Sequence, residues 1–386
     1  MRDDVPAADS GARPDLGQVF RRYGIEPNRR SAGGLDLWLR CQVRRWRLIR
    51  RELTARPPLP WSKRLAAWRR GFMSASVVLY RLERGDASSY VDDWTYSLAS
   101  YRYNGFFNPV VGNKLVLSQI LAAHGVSHPR VHGVVRRGRP VAIGTAAGGE
   151  PRDPMRRLDD WAADGRPLVF RPYWSGAGEG VFFVRRDDGA WTLNWQPVAD
   201  ADLRALVASL DRYIVTAYVD QAAYAAAIYP HTANTIRVLT MIDDDGPFVA
   251  AIAHRFGTRR SGVLDNFHQG HGGLSAPVDR VSGRIGTALT LDADGTVREH
   301  ARHPDTGAPI EGATLVGLAR ALDGVLDAAR CLPEAPLVGW DVLVTDDGYS
   351  ILEGNSPPAL QVWQVHGPLL RDRRVARFFA TGAASR

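Results

Sequence analysis

Apolar and polar residues follow one another with two different periods along this chain, and the change of period divides it. Over residues 35–56 apolar positions recur at helical spacing (Leu35, Leu39, Val43, Trp46, Ile49, Leu53) among arginines, until Pro57-Pro58 stops the run. A second helix is expected over 61–82. After Asn108-Pro109, Asn113 can cap a helix over 114–124, with Leu115, Leu117, Ile120 and Leu121 apolar and Gly125 as its stop. Pro129 leads into a short strand at 131–135. The Gly/Ala/Pro-rich stretch 144–157 reads as a loop.

From residue 167 the dominant period drops to two. Strands are expected over 168–173, 181–186, 191–195, 213–219, 235–242 and 248–256, with hairpin turns at Asp187-Asp188-Gly189 and Asp243-Asp244-Asp245-Gly246. Helices fit 202–210 and 313–330. A hairpin of 337–344 and 349–353, turned by Asp346-Asp347-Gly348, follows, and a last helix lies within 369–379. Strands joined by tight turns pair antiparallel, so the fold class is α+β and lacks the βαβ beat of a Rossmann domain. No internal repeat is visible.

Composition narrows this little. The chain has 386 residues, 45% of them hydrophobic, enough for two or three packed units. No apolar run approaches the ~18–20 residues that span a bilayer. Residues 1–16 are small and polar, read as a disordered or loosely held tail, and carry no secretion-signal stretch. The two cysteines, Cys41 and Cys331, have no partner motif and read as thiols in a reducing compartment, so the expected address is the cytoplasm.

Charge changes the picture more. Between Arg21 and Arg70 stand fifteen Arg or Lys against three acids, a local +12 in a chain of net +8. Such a patch could attract nucleic acid, anionic lipid or an acidic polymer. No nucleic-acid partner is expected. For the Arg-rich helices two readings stand, a solvated face or a peripheral contact with an anionic membrane or a partner. Only two of the 49 cations are lysine, Lys63 and Lys114, so a lysine kept in this background draws notice.

The densest chemistry lies in the C-terminal hairpin. Strand alternation points Asp341, Leu343 and Thr345 one way, and sets Glu353 and Asn355 on a shared face of the returning strand. Two carboxylates and an amide at one strand end make a hard oxygen site suited to Mg²⁺; incidental acids beside a turn are the plainer alternative. Upstream, Ser175-Gly176-Ala177-Gly178-Glu179-Gly180 joins two strands, and alternate glycines let backbone N–H groups crowd around phosphate oxygens. It is no Walker loop, since no Gly-Lys-Ser/Thr follows. Lys114, Arg171 and Arg237 supply cations. The loop from Asp265 to Gly273, with His268 and His271, could form a nest of N–H groups, a purely structural turn or, with His254, a zinc site.

A helix-borne lysine, a strand cation, a glycine flap, a hinge strand, Asn234-Thr235-Ile236-Arg237, Asp265-Asn266-Phe267 followed by glycines, and Asp341 with Glu353-Gly354-Asn355 stand in an order that resembles the ATP-grasp superfamily. The wording Asn234–Arg237, Asp265-Asn266-Phe267 and Gly339-Trp340-Asp341 is most similar to its sugar-transfer-associated branch, over roughly residues 105–365. The resemblance implies two α+β subdomains sandwiching ATP, preceded by a basic helical region. The divisions are a tail at 1–16, the helical region at 17–105, a first ATP-grasp part at 106–225 and a C-terminal subdomain at 226–386.

It also implies roles. Lys114 and Arg171 contact phosphates beneath a flap of Gly176, Gly178 and Gly180. The backbone of Ala217–Val219 binds the adenine edge, Arg237 stabilises charge at the γ-phosphoryl group, and Asp341, Glu353 and Asn355 hold Mg²⁺. The cofactors are then ATP and Mg²⁺. The activity is that of an ADP-forming ligase of the carboxylate–amine type, acting on a small-molecule or sugar-linked acceptor in a polysaccharide or sugar-linked biosynthetic pathway. A phosphotransferase acting on a sugar or hydroxyl, and a non-catalytic nucleotide-binding or membrane-associated module, are the alternatives. The chain departs from the branch at Arg171, where lysine is usual, and at the hinge, which lacks the common acidic residue.

Overall fold

A computed structural model of the chain describes residues 34–54, 59–82, 86–144, 153–174, 180–262 and 264–384. The expected tail at 1–16, Pro57-Pro58, most of the 144–157 loop, and Gly176 and Gly178 of the flap lie outside the described residues.

The N-terminal third is helical: α1 (Gly34–Thr54), α2 (Trp61–Arg69), α3 (Ser74–Leu79), α4 (Asp93–Asn104), α5 (Asn108–Gly112) and α6 (Lys114–Ala123). The single helix expected over 61–82 is two. Gly71 breaks it with φ +80, and a Cβ there would meet Asp92 Oδ1 at 2.3 Å, so only glycine turns the chain so tightly against α4. Asn113 caps α6 as its sequence implies, its side chain accepting from the N–H groups of Leu115 and Val116.

Two antiparallel sheets follow. The first contains β1 (Val131–Arg136), β2 (Arg139–Ala142), β3 (Leu168–Pro172), β4 (Phe182–Asp187), β5 (Ala190–Leu193), β6 (Gln196–Val198) and β7 (Tyr213–Ala217), in the order β2-β1-β7-β3-β4-β5-β6. Helices α7 (Pro154–Trp161) and α8 (Asp200–Ser209) pack on one of its faces with Leu168, Phe170, Phe182, Val184 and Trp191. The other face carries Val169, Arg171 and Phe183, the alternate positions. Helix α7 falls where a loop was expected; Asp153 caps it by accepting from Met155 N–H at 3.0 Å, and Pro154 suits its first turn.

A short helix, α9 (Ala223–Ile228), leads to the second sheet: β8 (Ile236–Asp243), β9 (Gly246–Phe256), β10 (Leu274–Pro277), β11 (Ala288–Leu291), β12 (Val297–His300), β13 (Leu337–Thr345) and β14 (Gly348–Asn355), ordered β12-β11-β10-β9-β8-β13-β14. Helix α10 (Leu318–Arg330) and α6 bury one face. It starts at Leu318, not at residue 313, because Gly317 ahead of it is left-handed (φ +80). The opposite face takes Phe72, Val77, Tyr96 and Tyr103 of the N-terminal region, α11 (Gln361–Gln364) and α12 (Arg373–Ala384). The second sheet and the helical region thus share one core. With both faces covered, β13 is buried over Leu337–Val344, and Asp341 is the one charged residue in that run.

Candidate functional site

Between the two sheets lies a cleft of about 850 Å³, counting the solvent at its mouth. Its inner end is charged, with Lys114, Arg171, Arg255, Asp265, Asp341 and Glu353 on the wall. Its outer half is apolar, formed by the less buried Val169, Val181, Phe183, Tyr218 and Val219.

Register builds the charged end. Asp341 on β13 stands directly opposite Glu353 on β14 and, on its other side, opposite Arg237 on β8. Residues paired across antiparallel strands share a face, so these side chains meet without any loop to position them. Arg237 Nη2 donates to Asp341 Oδ2 at 2.8 Å, and its Nε touches the same carboxylate. Arg255, from β9, donates to Asp341 Oδ2 at 2.8 Å and pairs with Asp265 at 3.0 Å. Asp265 in turn accepts from the Thr235 N–H at 2.8 Å and its hydroxyl at 2.5 Å, and this fixes Arg255 from behind.

Glu353 meets the lysine. Lys114 Nζ lies 3.1 Å from Glu353 Oε2, at the first turn of α6, where the Lys114 N–H donates to the Tyr173 carbonyl at 3.0 Å. That bond ties the helix start to the end of β3, two residues past Arg171. Arg171 Nη1 donates to the Leu352 carbonyl at 2.9 Å, while its Nε and Nη2 are buried without a protein partner. The forked guanidinium thus reaches across to β14 of the second sheet with one arm and keeps two donors fixed in direction. Burial pulls its guanidinium down from the ordinary value and Glu353 opposes that.

The two carboxylates are driven apart. Burial pushes Asp341 up to about 6, against the pull of Arg237 and Arg255 and with the push of Glu353. Burial raises Glu353 too, but Lys114 and Arg237 outweigh it and hold the group down at about 2. Asn355 directs its amide nitrogen to Asp341 Oδ1 at 3.3 Å and toward Glu353 Oε1 at 3.5 Å. Amide orientation follows the surrounding network, and a cation between those oxygens would favour the turned amide. Two converging carboxylates and an amide fit a hard cation that takes its other positions from phosphate oxygens and water. Among the described residues no three His, Cys, Asp or Glu gather to hold a metal by themselves.

The remaining candidates fall in different places. Ala217 and Val219 line the outer half, but the Ala217 N–H donates to the Arg130 carbonyl and the Tyr218 N–H to that of Pro167. Gly180 has φ +75, and a Cβ there would meet the Tyr213 hydroxyl at 2.7 Å. His254 is engaged by the Tyr224 hydroxyl at 2.9 Å and stacked on Phe256, apart from His268 and His271, whose rings pack together. In the loop itself the Gly270 N–H goes to the Leu291 carbonyl and that of His271 to His268, so a nest cannot use them. Asn234 is buried as a knot, its amide reaching Gln221, Ala225 and Tyr229 and its oxygen accepting from Thr232 and the Gly257 N–H. Arg255 is the residue that sequence reading passed over. Its signal was present: a guanidinium inside the apolar run Val249–Phe256 of a central strand needs a buried partner.

Two antiparallel sheets closing on a cleft that is cationic and carboxylate-lined within and apolar at its mouth define the ATP-grasp class, α+β in architecture. The chain belongs to the sugar-transfer associated ATP-grasp family, whose model matches residues 95–377. Proteins of the ATP-grasp type generally use ATP and Mg²⁺. Among solved structures, D-alanine–D-alanine ligase from Bacillus anthracis is 15% identical, over 71% of this chain and 69% of that one, with a TM-score of 0.38. The VanG D-Ala:D-Ser ligase from Enterococcus faecalis is 10% identical, over 70% and 62%, with a TM-score of 0.39. Biotin carboxylase from Campylobacter jejuni is 12% identical, over 70% and 46%, with a TM-score of 0.39. The chain thus spans less than two thirds of the last two. No curated protein matches it.

Proposed function

We propose that this chain is an ADP-forming ligase. It passes the γ-phosphoryl group of ATP to a carboxylate, and an amine or other nucleophile then attacks the acyl-phosphate and expels phosphate. The observation that supports this most is the three-strand register that sets Arg237, Asp341 and Glu353 side by side, with Lys114 on Glu353 and two unspent Arg171 donors alongside.

In this reading Lys114 and Arg171 take phosphate oxygens, and adenine lies in the apolar half against Ala217 and Val219. Arg237 stays cationic at any working pH and neutralises charge that grows on the transferring group. Asp341, Glu353 and Asn355 would hold Mg²⁺, which supplies charge neutralisation and alignment of the phosphates. The family resemblance gives Gly176, Gly178 and Gly180 the part of a flap that keeps water from the acyl-phosphate. We place the ATP-handling parts at 106–225 and 226–386, with the helical region at 17–105 as an added support. The family's description as sugar-transfer associated favours a small or sugar-linked acceptor in a polysaccharide or sugar-linked pathway.

The test is product analysis with ATP, Mg²⁺ and panels of amino acids and sugars. ADP and free phosphate should appear in equal amounts with a new amide or ester, and Asp341→Ala or Glu353→Ala should cut turnover at least about a hundredfold. ADP with a phosphorylated acceptor and no free phosphate would make the protein a phosphotransferase instead. Unchanged turnover in both variants would sink the metal assignment, and failure to bind ATP would leave only a non-catalytic module.

A further inference from the structure

Helix α1 is apolar on the side it turns outward, the reverse of a helix packed on a globular core. Cys41 and Glu52 face inward and are buried. Leu39, Val43, Trp46 and Leu53 fall on one outward stripe at spacings of four, three and seven, and Trp46 and Leu53 are 71% and 70% exposed. Arg50 lies within the stripe, and Arg40, Arg47 and Arg51 run along one edge of it, all exposed. Trp61, 70% exposed, and Leu65 stand one turn apart on α2, which is tied to the end of α1 by the Arg64–Glu52 pair at 3.0 Å.

Charge selects what covers this face. A second copy would bring arginine rows against arginine rows. The preceding residues 16–33 carry Arg21, Arg22, Arg29 and Arg30 against Glu26 alone, so they too would meet like charge. A nucleic acid would satisfy the guanidinium groups and leave the apolar stripe in water. An anionic lipid surface satisfies both, since the acyl boundary takes Leu, Val and Trp while headgroup phosphates take the arginines at the rim. We propose that α1, with the start of α2, docks the protein on an anionic membrane, lying in the plane of the interface. No helix among the described residues is long and apolar enough to cross a membrane, which makes this a surface contact.

The experiment is co-sedimentation of the full chain with vesicles of phosphatidylcholine alone and of phosphatidylcholine mixed with phosphatidylglycerol. Binding is expected to the mixed vesicles only, and to weaken in high salt. Trp46→Glu with Leu53→Glu should lower it by at least about tenfold, since two apolar side chains lose their burial. Trp46→Ser with Leu53→Ser, which adds no charge, should lower it in the same direction, with melting temperature unchanged. Equal binding to both vesicle types, or wild-type binding by the serine variant, overturns the proposal. So does a concentration-dependent dimer that the serine variant dissolves, which would assign the stripe to a second copy.

Discussion

Trp195 occupies a backbone position that ordinarily belongs to glycine. Asn194 and Trp195 form the two-residue turn between β5 and β6 with φ of 48° and 67°, the mirror-image turn that favours Asn-Gly. A tryptophan held there costs about 1 kcal/mol or more. What it gains is placement: its ring stacks on Phe183 at 5.7 Å and meets the edge of Tyr218 at 6.2 Å, and those two rings line the outer cleft. Asn194 pins the same strand, exchanging hydrogen bonds with the Phe183 backbone at 2.8 and 2.9 Å. Trp195→Gly should therefore leave stability within about 1 kcal/mol, since relief of the turn offsets lost stacking. The KM for ATP should rise several-fold with kcat nearly unchanged, and steady-state kinetics beside a urea titration would show whether it does. The sequence reading ran Trp191–Trp195 as one strand, since Asn194 is a turn signal but a tryptophan after it is not. Lys114, Arg171, Arg237, Asp341 and Glu353 were legible as charges among apolar neighbours. Their partners were not, because the Arg171 bond to the Leu352 carbonyl spans 181 residues and depends on tertiary register.

The break between α2 and α3 shows how one element is held by others. Helix α3 has Met73 at its N-cap, with no side chain to accept its free N–H groups. Carboxylates from neighbouring helices take that place. Glu52 of α1 accepts from the Ser74 N–H at 3.0 Å, and Asp93 of α4 accepts from the Met73 N–H at 2.8 Å and the Ser76 hydroxyl at 3.0 Å. The helical period continues through 61–82, and Gly71 is the local sign of an interruption that the packing partners then fix. Strands β10 to β12 escaped notice because they are only four residues each, although Asp294-Gly295 marks the turn between the last two. Asp93 also carries a pH dependence. Burial pushes its carboxyl up to about 6, against the hydrogen bonds from Met73 and Ser76. The folded chain then holds that proton more tightly than the unfolded chain, so the group's contribution to stability is present below about pH 4 and lost as pH rises through about 6. Asp93→Asn, which can keep both contacts, should stabilise the protein by about 2–3 kcal/mol near pH 7 and by little near pH 4. Melting curves across that range test it, and a constant difference between variant and wild type would show that Asp93 does not titrate there.

At the scale of the whole molecule, the two sheets bring together groups whose charges are already satisfied by one another. Arg237 and Arg255 share Asp341, and Lys114 sits on Glu353, so the cleft is internally paired apart from two donors of Arg171. A triphosphate and a divalent cation each face a poor bargain alone. Nucleotide drawing Lys114 and Arg237 to itself would leave Glu353 without its lysine and Asp341 with Arg255 alone, and a cation taking Asp341 and Glu353 would crowd the guanidinium groups. Bound together at the proposed site, each would release the partners the other needs, a positive coupling that must be reciprocal. We expect Mg²⁺ to tighten nucleotide binding by at least about tenfold beyond the effect of Mg²⁺–ATP pairing in water, and Mg²⁺ alone to shift the melting temperature hardly at all. Asp341→Asn removes one carboxylate from this exchange and leaves Arg237 free for phosphate. Nucleotide affinity without metal should then rise or hold while the Mg²⁺ enhancement collapses. Calorimetric titration of wild type and Asp341→Asn, each with and without Mg²⁺, closes the cycle; an enhancement of equal size in both proteins would mean that the carboxylate pair is not what couples the metal to the nucleotide.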